Sequence, residues 1–176
     1  PVNYVLPTGV NREQDPSQSQ IRQENEQAMS LRVTNLAPKD ARAVYKNTSY
    51  DMRQFKRMQM FVHAEKMIDD VTNLKNSELS CFIRIGSDLK ENYYEYEIPL
   101  KLTPHGFYDQ TEKSGDRQIV WPEENMFDFP LSLLTDVKVS RNRERRRSTN
   151  GVSLVEPYSE YDPEKPTNKV TILGNP

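Results

Sequence analysis

The sequence has too few cysteines and histidines for a disulfide framework or a common metal site. Its 176 residues include one cysteine, Cys81, and two histidines, His63 and His105. The histidines lie far apart, with no third ligand at the spacing of a zinc site. Cys81 lies in a strand pattern, where cysteine is usually a small buried apolar residue. We therefore expect no disulfide, no bound metal and no cofactor.

Apolar residues and glycines are also scarce. The sequence is 35% hydrophobic, below the roughly 45–50% that is typical of globular domains. It has no run of about 18 apolar residues that could span a bilayer and no apolar signal-peptide region. Its six glycines are scattered, so no phosphate-binding loop is present. We expect an excised piece of a longer protein that does not insert into a membrane on its own.

Charge of one sign does not dominate, and the carboxylates do not form a recognisable catalytic pattern. The formal net charge is -2 and the sequence pI is about 5.8, which excludes a general attraction to nucleic acid. Asp69 and Asp70 do not have the spacing of a calcium loop. Glu91, Glu95 and Glu97 are typical of a solvated strand face. We predict that the chain is not an enzyme and has no nucleic-acid partner.

What the sequence does contain is alternation at the period of a β-strand, most clearly from Leu79 to Leu100. Cys81, Ile83 and Ile85 alternate with Phe82 and Arg84, which predicts a half-buried strand. A second strand is predicted from Tyr93 to Leu100, with Tyr94, Tyr96 and Ile98 on one face. Pro99 should mark its end or an edge position.

Similar patterns predict the other elements. Further strands are expected at 29–34, 41–49, 58–63, 151–155 and 169–173, the third of them apolar on both faces and therefore central. Phe127, Leu131 and Leu134 have helical spacing. The acidic segment 156–166, which contains several prolines, is predicted to be a loop or a linker. The chain is thus predicted to be mainly β. We expect a β-sandwich, with a jelly roll as one form of it, one or two short helices and long loops.

Composition divides the chain into three parts. Residues 1–28 are polar and predict a linker or an extended N-terminal segment. Residues 29–140 hold most of the apolar residues and predict the β-sandwich core. Residues 141–176 predict an arginine-rich loop, an acidic proline-containing segment and a terminal strand.

Two clusters are candidates for binding. Tyr93, Tyr94 and Tyr96 concentrate aromatic surface in one strand, which suits either core packing or contact with a glycan or a protein partner. Five arginines within seven residues could instead make electrostatic contacts. A solvated loop and a clasp onto the acidic run 156–164 are the alternatives for these arginines. They are Arg141, Arg143, Arg145, Arg146 and Arg147.

Three segments of the sequence carry distinctive motifs, which are DARAVYKN (Asp40 to Asn47), MQMFVHAE (Met58 to Glu65) and RIGSDLKENYYEYEIPL (Arg84 to Leu100). These segments resemble the SprA/Sov family of gliding-motility and type IX secretion proteins. The resemblance extends from about Val5 to Arg147. These motifs are ordered and of low degeneracy, so the similarity is specific.

The resemblance implies a function that the residues alone do not indicate. The family forms a large outer-membrane β-barrel translocon that exports folded cargo, and it implies no catalytic residues here. This chain would be a non-enzymatic soluble module of it, located in the cell envelope on either side of the outer membrane. Its partners would be the barrel of the parent chain, secretion subunits or exported cargo. The alternative is a carbohydrate-binding module that uses Tyr93, Tyr94 or Tyr96.

Overall fold

A computed structural model of the chain describes residues 1–10, 28–147 and 151–176. The chain divides into two compact units. One unit combines Pro1–Thr8 with Arg53–Pro176, and the other is Gly9–Met52. Most of the predicted linker, residues 1–28, lies outside the described residues.

The larger unit contains the strands and helices. The strands of the described residues are β1 (Arg57–Met60), β2 (Ser80–Asp88), β3 (Asn92–Pro99), β4 (Phe127–Pro130), β5 (Tyr158–Tyr161) and β6 (Lys169–Leu173). The α-helices there are α1 (Asp116–Val120) and α2 (Ser132–Arg147), and single 3₁₀ turns cover Met52–Gln54, Glu112–Ser114 and Glu123–Asn125. The prediction of a mainly β fold is confirmed. No helix in the described part of the chain is both long enough and apolar enough to cross a bilayer.

The strands form two antiparallel sheets. The larger sheet has the order β2-β3-β6-β5, and the smaller one pairs β1 with β4. In the larger sheet, Tyr96 of β3 lies opposite Ile83 of β2 and Val170 of β6. β3 is therefore an inner strand, and its alternating apolar residues are covered by neighbours on both sides.

Aromatic rings hold the two sheets together. The ring of Tyr96 from the larger sheet stacks on Phe129 of the smaller sheet, with centroids 3.9 Å apart and an angle of 5° between the planes. Phe127, also from β4, meets Tyr96 edge-on at 6.1 Å. Leu134 and Val137 of α2 join the same buried cluster. The arrangement is sandwich-like, with α2 packed beside the sheets.

Gly86 and Gly174 allow close backbone contacts at one end of the larger sheet. A Cβ atom on Gly86 would lie 2.2 Å from the carbonyl oxygen of Asn92. Gly174 follows β6 with φ of +67°, and a Cβ there would lie 2.1 Å from the carbonyl oxygen of Glu91. Any other residue would force these backbones apart, since real Cβ atoms do not approach so closely.

Two predicted strands are not strands. Residues 29–34 and 41–49, in the smaller unit, have no regular secondary structure, and Met29, Leu31 and Val44 are exposed. Alternation states which side chains would share a face, but a strand also needs a partner for its backbone groups. In the described residues neither segment has one.

Other predictions are corrected by details of the larger unit. β1 covers Arg57–Met60 but is an edge strand with exposed residues, not the predicted central strand. Phe127 lies in a strand, so the helix that was expected to include it begins only at Ser132. Residues 151–155 are not a strand. β5 instead lies within the predicted loop 156–166, whereas the strand predicted at Lys169–Leu173 is confirmed.

The stacked pair should dominate the stability of the larger unit. Replacing a buried phenylalanine with alanine removes apolar contacts and leaves a cavity. We expect Phe129→Ala to lower the free energy of unfolding by about 3–5 kcal/mol, measured by chemical denaturation. The matched control is Phe107→Ala, because Phe107 is 88% exposed. Equal losses in the two variants would contradict the stacked core.

Candidate interaction surface

The three tyrosines of β3 do not share an exposed surface. Tyr96 is 1% exposed and Tyr93 is 7% exposed, and they lie on opposite faces of the strand. The guanidinium carbon of Arg84 lies 3.8 Å from the centroid of the Tyr93 ring and covers it. Tyr94 is half-buried against the core cluster. The packing alternative is therefore what the structure shows for Tyr94 and Tyr96, and no platform of three rings is presented for a glycan.

The hydroxyl of Tyr96 is part of a buried polar cluster. It donates to Oδ2 of Asp162 at 2.5 Å and accepts from Nδ2 of Asn168 at 3.1 Å. Oδ1 of Asp162 also accepts from the backbone N–H of Glu164, in the turn between β5 and β6. Burial, followed by the hydrogen bond to the Asp162 carboxylate, raises the pKa of Tyr96. The phenol thus stays protonated and fixes the β5–β6 turn to the core.

Removing only this hydroxyl should be costly. In Tyr96→Phe, the carboxylate of Asp162 loses a hydrogen-bond donor. Asp162 is only 4% exposed, so water cannot readily replace that donor. We expect the free energy of unfolding to fall by about 1–3 kcal/mol, measured by urea denaturation. Tyr161→Phe serves as the control, because Tyr161 is 68% exposed and such surface changes stay within about 0.5 kcal/mol. A neutral Tyr96→Phe would mean that the cluster does not hold the turn.

The five arginines of residues 141–147 lie on a helix and not in the predicted loop. α2 continues through Arg147, because arginine has a good helix propensity and no glycine or proline interrupts the segment. Its last turn carries Arg145, Arg146 and Arg147. Cations in this position interact favourably with the negative end of the helix dipole. Val139 also lies within this helix.

Arg141 is separated from the other arginines by burial. It is 1% exposed, and its Nη1 donates to the carbonyl oxygen of Gly174 at 2.6 Å. Its buried Nε has no hydrogen-bond partner among the described residues. Desolvation lowers the pKa of Arg141. One turn earlier, Nζ of Lys138 donates to the carbonyl oxygen of Pro176 at 2.7 Å, so Arg141 and Lys138 fasten α2 to the segment after β6.

The remaining arginines are exposed. Arg143, Arg146 and Arg147 lie with Val139 and Asn142 around an open hollow of about 450 Å³. We call these five residues the arginine face. Their spacing along α2 places them on one side of the helix. Val139 and Asn142 were not among the predicted contact residues, although each lies four residues before an arginine of the face, Arg143 and Arg146 respectively.

The arginine face is not neutralised within the described residues. No ion pair there joins Arg143, Arg145, Arg146 or Arg147 to a carboxylate. The predicted clasp onto the acidic run 156–164 is therefore not seen. The link between α2 and that run is instead Tyr158, whose hydroxyl donates to Glu160 at 2.8 Å and contacts Glu144 at 3.4 Å. Burial and these carboxylates raise the pKa of Tyr158 to about 12.

The histidines and Cys81 serve the fold. Nδ1 of His63 lies 2.8 Å from the carbonyl oxygen of Val120, and Nε2 of His105 lies 2.6 Å from that of Lys66. Cys81 is half-buried, and burial raises the pKa of its thiol. Within residues 1–10, 28–147 and 151–176, no three His, Cys, Asp or Glu side chains are grouped to hold a metal ion.

Neutralising Arg141 and neutralising Arg143, which lie about half a helical turn apart, should have opposite effects on stability. Arg143→Gln removes repulsion from Arg146 and Arg147, so we expect unchanged or slightly increased stability, by up to about 0.5 kcal/mol. Arg141→Gln removes the donor to Gly174 and should cost about 1–3 kcal/mol. Thermal and urea denaturation of both variants test this. Destabilisation by Arg143→Gln equal to that by Arg141→Gln would show that the arginine face is used within the fold.

Comparison with known proteins identifies the family. The chain matches, over residues 1–176, the SprA_N family model, which is described as a motility-related and secretion protein. The chain belongs to this family, and the resemblance seen in the sequence is confirmed. A search of curated proteins found no match. Family membership implies a role related to motility or secretion.

Proposed function

We propose that this chain is a non-enzymatic module of a large outer-membrane translocon that exports proteins by type IX secretion and supports gliding motility. The observation that carries the proposal is the family match over the whole chain. The module lies in the cell envelope, associated with the outer membrane. It works by presenting surfaces to the barrel of the parent chain, to secretion subunits or to exported cargo.

The use of its polar residues supports a non-enzymatic role. The Asp162 carboxylate holds a turn and a buried tyrosine. The ring of His63 bonds to the backbone carbonyl of Val120 at the end of α1. The Glu95 carboxylate holds Arg84 at 2.6 Å over the Tyr93 ring. Groups that could act as acids or bases thus have structural hydrogen bonds, which support the fold.

The arginine face is the contact surface that the geometry favours. The described residues do not neutralise its charge, although the chain as a whole is slightly acidic. Like charges three and four residues apart destabilise a helix, and this repulsion opposes the favourable interaction of Arg146 and Arg147 with the negative end of the helix dipole. Val139 is 54% exposed beside the hollow. The partner that fits is an acidic protein segment with an apolar side chain to cover Val139.

The proposal is tested by neutralising the arginine face in the gene that encodes the chain. Arg143, Arg146 and Arg147 are replaced together by glutamine, and export of type IX cargo and gliding are measured in cells. The control replaces three exposed lysines elsewhere, Lys75, Lys90 and Lys113, with the same change in net charge. We expect export to fall at least roughly tenfold for the arginine variant, equivalent to about 1.4 kcal/mol of lost binding, and little for the control.

Abundance of the variant protein must be measured alongside export. Normal export at normal abundance in the arginine variant would refute the contact role of this surface. Normal export and gliding after deletion of the whole module would refute the proposed function itself.

A further inference from the structure

β2 is an edge strand with an unpaired side. In the described residues it pairs with β3 alone. The backbone N–H of Leu100 donates to the carbonyl of Leu79 at 2.8 Å, just beyond the pairing of Ser80 with Pro99, and this bond sets which pairs of the ladder are hydrogen-bonded. Since such pairs alternate, Cys81, Ile83 and Ile85 also bond toward β3. The N–H and C=O groups of Phe82 and Arg84 therefore point away from the sheet.

The regular part of this edge lacks two of the devices that usually prevent pairing. Ser80–Gly86 contains no proline and no lysine, which protect many natural edge strands. Its one charged residue, Arg84, is held at the sheet by Glu95 through hydrogen bonds of 2.9 and 2.6 Å. Cys81, Ile83 and Ile85 remain only partly buried against the core. An added strand would satisfy the backbone groups and cover this apolar row.

The sequence of β2 is complementary to itself in one antiparallel register. With Ile83 opposite Ile83 of a second copy, Cys81 lies opposite Ile85, and Phe82 lies opposite Arg84. The last pair places a guanidinium beside a phenyl ring, which is a favourable contact. Within one copy, the guanidinium carbon of Arg84 already lies 5.3 Å from the Phe82 centroid. In this register, Phe82 of one copy and Arg84 of the other also form backbone hydrogen bonds with each other. These are the two residues whose N–H and C=O groups point away from β3.

Other registers are poorer. Centring the pair on Arg84 would place two arginines directly opposite each other, which is destabilising. Centring it on Phe82 shortens the paired segment and loses the contact between Phe82 and Arg84. The irregularity between Gly86 and Asp88 ends the regular ladder at its other end. A twofold axis at Ile83 gives the longest overlap within Ser80–Gly86.

We propose that β2 is a self-association edge: two copies of this chain pair through it, antiparallel, with Ile83 at the twofold axis. The two larger sheets then form one sheet of eight strands with the order β5-β6-β3-β2-β2-β3-β6-β5. A twofold axis perpendicular to the sheet keeps both apolar rows on the same side. The proposal is independent of the arginine face, which lies on α2.

Disulfide trapping tests the register. In a Cys81→Ser background, Ile83→Cys places two cysteines opposite each other at a non-hydrogen-bonded pair, where Cα atoms are about 4.5 Å apart and a disulfide can form. Phe82→Cys in the same background is the matched control. Its two cysteines are diagonal neighbours at roughly 7–8 Å, beyond easy reach. We expect a covalent dimer for Ile83→Cys alone under mild oxidation.

Sedimentation of the 176-residue chain under reducing conditions tests the backbone pairing. Phe82→Ala removes the ring, and Phe82→Pro removes in addition the outward N–H without touching the ladder to β3. Twofold symmetry doubles that loss, so we expect dimerisation to weaken roughly tenfold or more beyond Phe82→Ala. Circular dichroism shows whether the proline variant is folded, and if it is not, the trapping experiment decides.

The proposal is overturned by a chain that sediments as a monomer at its highest soluble concentration and gives no Ile83→Cys dimer. Crosslinking at Phe82→Cys in preference to Ile83→Cys would overturn the register. A dimer that Phe82→Pro leaves intact in a folded protein would show that another surface associates. If hydrogen exchange shows that the β2 amides become protected only when a different protein is added, then that protein pairs with β2 and a second copy does not.

Discussion

The stack of Tyr96 on Phe129 is the contact on which the larger unit depends. Tyr96 lies in the middle of an inner strand, and Phe129 lies in a sheet of only two strands. A two-stranded sheet is marginal by itself in water, so β1 and β4 need this apolar contact to persist. The same tyrosine reaches Asp162 through its hydroxyl. One side chain therefore joins both sheets and the β5–β6 turn.

α2 divides its arginines between two tasks. Arg141 points to the end of β6 and holds it through a backbone carbonyl, whereas Arg143, Arg146 and Arg147 lie at the surface. The burial of one guanidinium requires desolvation, and the exposed ones repel each other. Under the proposed function, a partner compensates the charge of the exposed arginines.

The sequence predicted the parts of the fold in which apolar alternation and burial coincide. β2 and β3 were predicted because Cys81 to Ile98 alternate and have neighbouring strands to pair with. Phe127 was assigned to a helix because its spacing to Leu131 and Leu134 fits that period equally well. β5 has no apolar alternation, since Tyr158 and Glu160 form its inward row, so no pattern could reveal it. Residues 29–34 alternate without a partner in the described residues.

The candidate surface was harder to predict than the fold. The run of arginines was visible, but not that Arg141 would be buried, because an arginine in sequence carries no sign of its exposure. For the tyrosines, the sequence left core packing and surface contact as alternatives. Aromatic residues suit surfaces and cores alike, and only the sheet order shows that Tyr96 has strands on both sides and a ring above it. The burial of Arg141 and of Tyr96 depends on contacts between segments that are distant in the sequence. The local spacing of residues gives no information about such contacts.

The order of strands in the larger sheet has a consequence for how the chain acquires its structure. β3 is completed by β6, about 75 residues later in the sequence, and Trp121 donates its indole N–H to the carbonyl of Val5, 116 residues away. Contacts between distant residues slow folding, because closing a long loop costs chain entropy before the contacts that stabilise it have formed. While a ribosome makes this unit, β2 and β3 can form only a hairpin. The inner strand stays half-unpaired until Lys169–Leu173 emerge, so a nascent chain stalled before that point exposes two strand edges to chaperones and neighbouring chains.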